Sequence, residues 1–325
     1  MSFNVNISDE YRVNTTGDSK GSQVKYYKDG FWYKEDCLGD EGEVEYLVSL
    51  VLKHSNLDNH EYVQYERGII NGKKGCRSKD FTCGGVYNFV TLQRLYDKFG
   101  DNLYNRVRNI DDIDTRVLFV LDFFNKYYNF DLLDYFSKVF SLDLITLNED
   151  RHFNNLGVLI DEKGKLHNAL IFDNGLGLLN GNYSINRHFS IADNVKRVTS
   201  KPFLGSPERQ FGLFEQGFDI DYIGLFEELN NVGDSFYKEV LEYQLFKYKD
   251  IFFKRILKNL VYEGVVVGTR IFTKVDTYDV NIKLPFAKGS IPLHSKNGLL
   301  VSGKEDSSGV LIREVGEGLI SKIFS

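Results

Sequence analysis

The chain has 325 residues, 42% of them hydrophobic and 14% aromatic, which is enough apolar material for one large domain or two lobes. Its formal net charge of −6 argues against nucleic acid as the main partner, because phosphate contacts need a basic face. The three cysteines, Cys37, Cys76 and Cys83, are odd in number and lack the paired spacing of a disulfide framework or a zinc site.

In chain order, the opening MSFNVNISDEYRV carries no basic region followed by an apolar core, so no secretory signal is expected. No run approaches the roughly 20 apolar residues of a membrane span. The expected compartment is a reducing cytoplasm, with export by a route lacking a classical signal peptide left open. Proline is absent before Pro202, so Gly, Asn and Asp mark the breaks. Residues 15–22, TTGDSKGS, form a small-residue loop. A hairpin follows, VKYY and FWYK around Asp29-Gly30. EGEVEYLVSLVLKHS places Val44, Leu47, Val48, Val51 and Leu52 on one side of a helix. A second hairpin turns at Asn71-Gly72; the glycine spacing in GIINGKKG is wrong for a P-loop.

From about Thr91 the pattern becomes helical. TLQRLYDKFG predicts a helix with Leu92, Leu95, Tyr96 and Phe99 on one face and a stop at Gly100. Helical patterns continue through DIDTRVLFVLDFFNKYY and DLLDYFSKVFSLDLI. NLGVLID and LHNALIFD read as a β-hairpin around EKGK, and a long aromatic-rich helix is expected at about 236–262. The last residues are Gly/Ser-rich, with short β-like stretches. A β-rich N-terminal part with one helix thus precedes a helical part with an embedded hairpin, an α+β chain in two lobes with a cleft for ligand between them.

The chemistry concentrates in TLNEDRHFNN. Asp150 and Asn155 are five positions apart, the spacing of base and metal-binding amide in the kinase catalytic loop D-x-x-x-x-N. An aspartate there accepts a hydrogen bond from the attacking hydroxyl, and the amide oxygen holds Mg²⁺ on the phosphates. A second metal ligand is expected one hairpin later, and Asp173 stands at the end of ALIFD, followed by Gly175 and Gly177. FDNG thus occupies the place of the kinase D-F-G. Upstream, the glycines of TTGDSKGS let backbone amides approach an anion. Lys34 ends the strand FWYK, where kinases put the phosphate-binding lysine. Of Glu41, Glu43 and Glu45, only Glu45 borders the buried stripe and can point into a cleft to pair with it. His54 and His60 have no third ligand at plausible spacing, and Ser206 lies in a loop without a nucleophile elbow.

NEDRHFNN, LIFDNG, GSQVKYYKDGFWYKED and EVEYLVSLVL resemble the HipA-like serine/threonine kinases, whose catalytic motif reads D-R-H-x-x-N. The resemblance covers roughly residues 14–260. It does not extend to the additional N-terminal region of full-length HipA toxins, so it implies no toxin–antitoxin pairing. It implies a bilobal protein-kinase-like fold: an N-lobe at 1–88, a catalytic C-lobe at 89–263 and an extension at 264–325 of no assigned role. It also implies ATP and Mg²⁺ as cofactors, a protein with a Ser/Thr acceptor as partner, and autophosphorylation. By this resemblance Asp150 is the base, Asn155 and Asp173 are metal ligands, and Lys34, aligned by Glu45, is the ATP lysine. Gly17, Ser19, Lys20, Gly21 and Ser22 would cover the phosphates, His152 and Asn154 would lie near them, and Ser78 and Lys79 would approach the adenine. The same parts would serve a small-molecule phosphotransferase, and a pseudokinase binding module is the reading from outside the enzymes.

Overall fold

The computed structural model describes residues 3–13, 23–181, 185, 188–252, 279–283, 290–296 and 299–302. The loop at 15–22, with Gly17, Ser19, Lys20, Gly21 and Ser22, lies outside the described residues, as does most of 264–325. The chain divides into two units, Met1–Phe218 with Asp234–Leu245, and Asp219–Gly233 with Phe246–Ser325.

The first unit begins with a five-stranded sheet: β1 (Phe3–Val5), β2 (Lys25–Lys28), β3 (Phe31–Glu35), β4 (Tyr65–Ile70) and β5 (Lys73–Lys79). Their spatial order is β1-β4-β5-β3-β2, with β1 parallel to β4 and the other pairs antiparallel. Both hairpins turn as expected, because Asp29 and Gly30 (φ 52° and 77°) and Asn71 and Gly72 (φ 51° and 81°) adopt the positive φ pair that matches strand twist. These turns set the register. Lys25, Lys34, Cys76 and Arg67 stand opposite one another across four strands, so they share one face. Tyr26, Tyr33, Arg77 and Glu66 take the other face, which is covered by a cluster of Ile7, Tyr26, Tyr33 and Ile70. The helix α1 (Glu41–Lys53) lies between β3 and β4 in the chain, and its Val44, Leu47, Val48, Val51 and Leu52 are fully buried.

The remainder of this unit is mainly helical. The strand β6 (Asn88–Thr91) runs directly into α2 (Leu92–Asp97), whose N-terminus Thr91 caps through its hydroxyl. Helices α3 (Leu103–Arg108), α4 (Ile113–Tyr128) and α5 (Leu133–Thr146) follow, then β7 (Gly157–Ile160) and β8 (Leu166–Asn168). The strands β6, β7 and β8 form an antiparallel sheet of three. Short helices α6 (Ile191–Val195) and α7 (Pro207–Phe211) come next. The core around α5 is aromatic: Phe136 and Phe140 pack on Phe203 and Phe214, and Phe153 on Phe203.

The second unit contains α8 (Tyr222–Leu229), with Tyr222, Leu225, Phe226 and Leu229 buried. The chain returns to the first unit in α9 (Phe236–Lys247), where the Gln244 amide donates to the Leu144 carbonyl at 2.9 Å. After α10 (Lys249–Phe252), the described part of the second unit continues as an antiparallel sheet of β9 (Asp279–Lys283), β10 (Ser290–Lys296) and β11 (Leu299–Ser302). Among the described residues no helix is long and apolar enough to cross a membrane.

Three local expectations change. The helix expected over about 236–262 ends at Lys247 and restarts at Lys249, and residues 253–262 lie outside the described residues. Phe99 is half exposed, because α2 stops at Asp97 and carries Phe99 past its buried face onto the rings of Phe123 and Tyr127. ALIFD is not a continuation of β8: the ladder ends at Asn168, where its partner β7 runs out. Ile171 instead makes one parallel bridge to Tyr62, bonding Glu61 O at 2.8 Å and Val63 N at 2.9 Å. Leu170 and Phe172 then pack under Val63, Tyr65 and Cys76. This segment stitches the two parts of the first unit together just ahead of Asp173.

Candidate active site

Lys34 points from the α1-facing side of β3 into a cluster of acceptors in which Glu45 and Tyr65 are buried and Asp173 is partly exposed. Its ammonium lies 2.8 Å from Asp173 Oδ1, 3.6 Å from Glu45 Oε1 and 5.2 Å from the centre of the Tyr65 ring. Burial penalises that charge, but Asp173, then Tyr65 and Glu45, outweigh it and hold the lysine well above its ordinary pKa. Asp173 shows the complement. Its burial opposes ionisation, while Lys34, Lys25 and His152 pull its pKa down. Glu45 is pushed up to about 7, by burial first, with Lys34 opposing. Its second oxygen accepts the Asn174 N–H at 3.0 Å, so one carboxylate on α1 holds both the lysine and the backbone after Asp173. Glu41 instead receives the N–H groups of Cys37, Leu38 and Gly39, and Glu43 pairs with Arg67.

The loop 148–155 leaves α5 through Leu147, which takes a left-handed conformation at φ 55°. Its turn is self-contained. Asn148 Oδ1 accepts the Asp150 N–H at 3.0 Å, Asp150 O accepts the His152 N–H at 2.7 Å, and His152 O accepts the Asn155 N–H at 2.8 Å. The Asn155 side chain donates its Nδ2 to Asp150 O at 3.0 Å, which leaves its amide oxygen as a hard donor. Asp150 itself meets Lys201, Nζ to Oδ1, at 2.6 Å, while its Oδ2 is 3.7 Å from His152 Nε2. His152 Nδ1 is buried with no hydrogen-bond partner among the described residues. Asn154 Oδ1 accepts from the Thr91 hydroxyl at 3.3 Å.

Arg151 joins loop and cluster. It is 0% exposed and makes a forked pair with Asp143 of α5, Nε to Oδ2 at 3.0 Å and Nη2 to Oδ1 at 2.9 Å. Its remaining donors reach Phe172 O at 2.6 Å and Asn174 Oδ1 at 2.5 Å. Asp173 is thus flanked by two residues bound to Arg151 and itself sits at φ 59°.

The structure therefore brings Lys34, Glu45 and Asp173 into direct contact and links Asp150, His152, Asn154 and Asn155 to them through Arg151. Ser78 is buried two residues beyond Cys76 on the same face of β5, and Lys79 is exposed on the alternate face; neither contacts Lys34. Among the described residues no group of three or more His, Cys, Asp and Glu side chains could hold a metal alone. Asp173 and Asn155 each carry a hard oxygen donor of the kind that Mg²⁺ takes.

No family model matches the chain, and no curated protein sequence does. Among solved structures, the crystal structure of the Helicobacter pylori proinflammatory kinase CtkA is similar, with a TM-score of 0.50 at 17% identity, over 77% of this chain and 94% of that one. The fold is kinase-like.

Within this kinase-like fold, four contributors escaped the reading of the sequence. Lys25 was legible, since a two-residue turn at Asp29-Gly30 puts it opposite Lys34. It is partly buried, and burial followed by the Lys34 charge lowers its pKa. Among the described residues its ammonium makes no hydrogen bond or ion pair, while its carbonyl accepts the Val13 N–H at 2.9 Å. Tyr65, Asp143 and Lys201 gave no sequence signal, because only packing brings them to the site.

Proposed function

We propose that the chain is an ATP-dependent serine/threonine protein kinase of the HipA-like kind. The observation that carries this reading is the contact of Lys34 with both Asp173 and Glu45, clamped by Arg151 to the loop that holds Asp150 and Asn155. A lysine bound between two carboxylates can release one of them to a metal and keep the other. Lys34, supported by Glu45, then binds nucleotide phosphates, with Lys25 as a second cation on the same face. Asn155 and Asp173 would hold Mg²⁺, which offsets charge on the transferring phosphoryl group when bound. Asp150 accepts a hydrogen bond from the acceptor hydroxyl and orients it. A carboxylate is a weak base, but it suffices where the proton leaves late.

The acceptor is a Ser or Thr hydroxyl on a protein, and the chain is also its own substrate. The loop 15–22 is the site of that self-modification, at Ser19. A phosphate there carries nearly two negative charges and would repel the ATP phosphates.

Incubation with labelled ATP and Mg²⁺, with and without a generic acceptor protein, tests the assignment. Asp150→Asn is expected to cut transfer to a small but measurable residue and leave nucleotide binding within a few-fold, whereas Asp173→Asn weakens Mg·ATP binding as well. Mass spectrometry of the wild-type product should find phosphate at Ser19. An Asp150→Asn variant with wild-type turnover would remove the assignment. Transfer to small alcohols but to no protein would make the chain a small-molecule phosphotransferase, and binding of ATP without any transfer would make it a pseudokinase.

A further inference from the structure

We propose that Lys201 is a positioning residue for phosphoryl transfer, one that locks a single oxygen of Asp150 and leaves the other to the acceptor. The inference rests on the kinase reading above and extends it to a residue 51 positions further along the chain.

The lysine is mounted rather than merely nearby. Its own N–H bonds Glu149 O at 3.3 Å, and Ser200 N bonds Gly205 O at 2.8 Å, closing the loop around it. Gln210, buried on α7, donates to Ser200 O at 3.0 Å. Arg116, on α4, donates to Phe203 O at 2.8 Å. Phe203 is fully buried against Phe136, Phe140 and Phe153, the last of these in the catalytic loop. Backbone on both sides of Lys201 is therefore fixed to the core that carries Asp150.

The contact is also asymmetric. Oδ1 of Asp150 takes the ammonium at 2.6 Å, while Oδ2 lies 3.7 Å from His152 Nε2, beyond hydrogen-bond distance. Among the described residues one oxygen is occupied and the other is available. In the transfer step the acceptor oxygen bonds to the γ-phosphorus, and the bond from that phosphorus to the bridging oxygen breaks. ADP leaves with that electron pair, and the hydroxyl proton passes to Oδ2. Lys201 stops the carboxylate from rotating away and balances its charge. The lysine and aspartate side chains are 39% and 31% exposed, and an ion pair so placed adds little to stability. The pair therefore serves orientation.

The test is a set of variants compared with wild type: Lys201→Met, Lys201→Arg and Asp150→Asn, with Lys201→Met combined with Asp150→Asn. Lys201→Met should melt at the wild-type temperature and bind Mg·ATP normally, yet lose kcat by roughly 10- to 100-fold, as expected for a group that orients a reacting one. Lys201→Arg should recover part of the loss. In the Asp150→Asn background, Lys201→Met should cost nothing more, because its partner is already disabled. Wild-type kcat in Lys201→Met, or an equal loss in the Asp150→Asn background, overturns the inference and leaves the kinase reading intact. A wild-type chain that transfers no phosphoryl group overturns the kinase reading first and the inference with it.

Discussion

Glu45 is the residue whose ionisation decides how Lys34 is held. Folded, it keeps its proton up to about pH 7; unfolded, it would release it near the ordinary value of 4.5. Between these values the native state binds more protons than the unfolded one, so the stabilising contribution of that proton falls as pH rises through the window and is gone above about 7. Activity should run the other way. Once a metal engages Asp173, only an ionised Glu45 remains to hold Lys34, so kcat/KM, which reports the free enzyme, should rise with a midpoint near pH 7. Glu45→Gln is expected to flatten that rise, keep activity at its low-pH level, and remove the loss of unfolding free energy across the same window. A wild-type profile flat from pH 5.5 to 8.5 would show that Glu45 does not control the lysine.

At the scale of elements, the seating of α1 on the sheet places Glu45. Gly42, in the first turn of the helix, lies so close to β5 that a Cβ there would stand 2.5 Å from the Gly75 carbonyl carbon and oxygen. Its N–H also bonds Asp36 Oδ1 at 2.7 Å. Burial pushes Asp36 up to about 6, and the hydrogen bond from Gly42 opposes that rise. An alanine in a helix is ordinarily more stable than a glycine by about 0.5–1 kcal/mol. Here the sign should reverse. Gly42→Ala has to push the helix off β5, at a cost of about 1–3 kcal/mol in urea unfolding, and should lower kcat by withdrawing Glu45 from Lys34. A stabilised variant would mean that α1 is free to shift. The contact with Gly75 also explains why Glu45 and not Glu41 or Glu43 meets the lysine: the glycine pair fixes which turn of the helix overlies the end of β3.

At the scale of the molecule, the proposed nucleotide site is shared among β3, α1, the loop 148–155 and the segment at Asp173, all in the first unit. A ligand bound only by the native arrangement of these parts stabilises them all. At a hundred times its Kd, Mg·ATP should add about 2.7 kcal/mol, and each kcal/mol raises the melting temperature of a domain this size by about 2–4 °C. Asp173→Asn and Lys25→Ala should each reduce that shift in a thermal melt. No shift for wild type at millimolar Mg·ATP would argue against a nucleotide site.

Much of this architecture was legible from local pattern. Asp29-Gly30 and Asn71-Gly72 specify their hairpins because few residues accept two consecutive positive φ angles. The stripe on α1 reports burial through its period. Asp150 and Asn155 sit in one turn because six residues joined by their own backbone bonds carry their geometry with them. Contacts between distant parts were not legible. Lys34 meets Asp173 across 139 positions, and Lys201 meets Asp150 across 51. Neither pairing follows from any spacing, since both arise from the way β3, α1, α5 and α7 pack. ALIFD has the composition of a strand, yet it leaves the sheet at Asn168 because β7 is only four residues long and the apolar pocket under Val63 and Tyr65 takes Leu170 and Phe172. Periodicity and turn chemistry determined the elements and the loop that carries the acid and the amide. Tertiary packing decided which charges those elements bring within 4 Å of one another, because an ion pair depends on where two backbones come to rest.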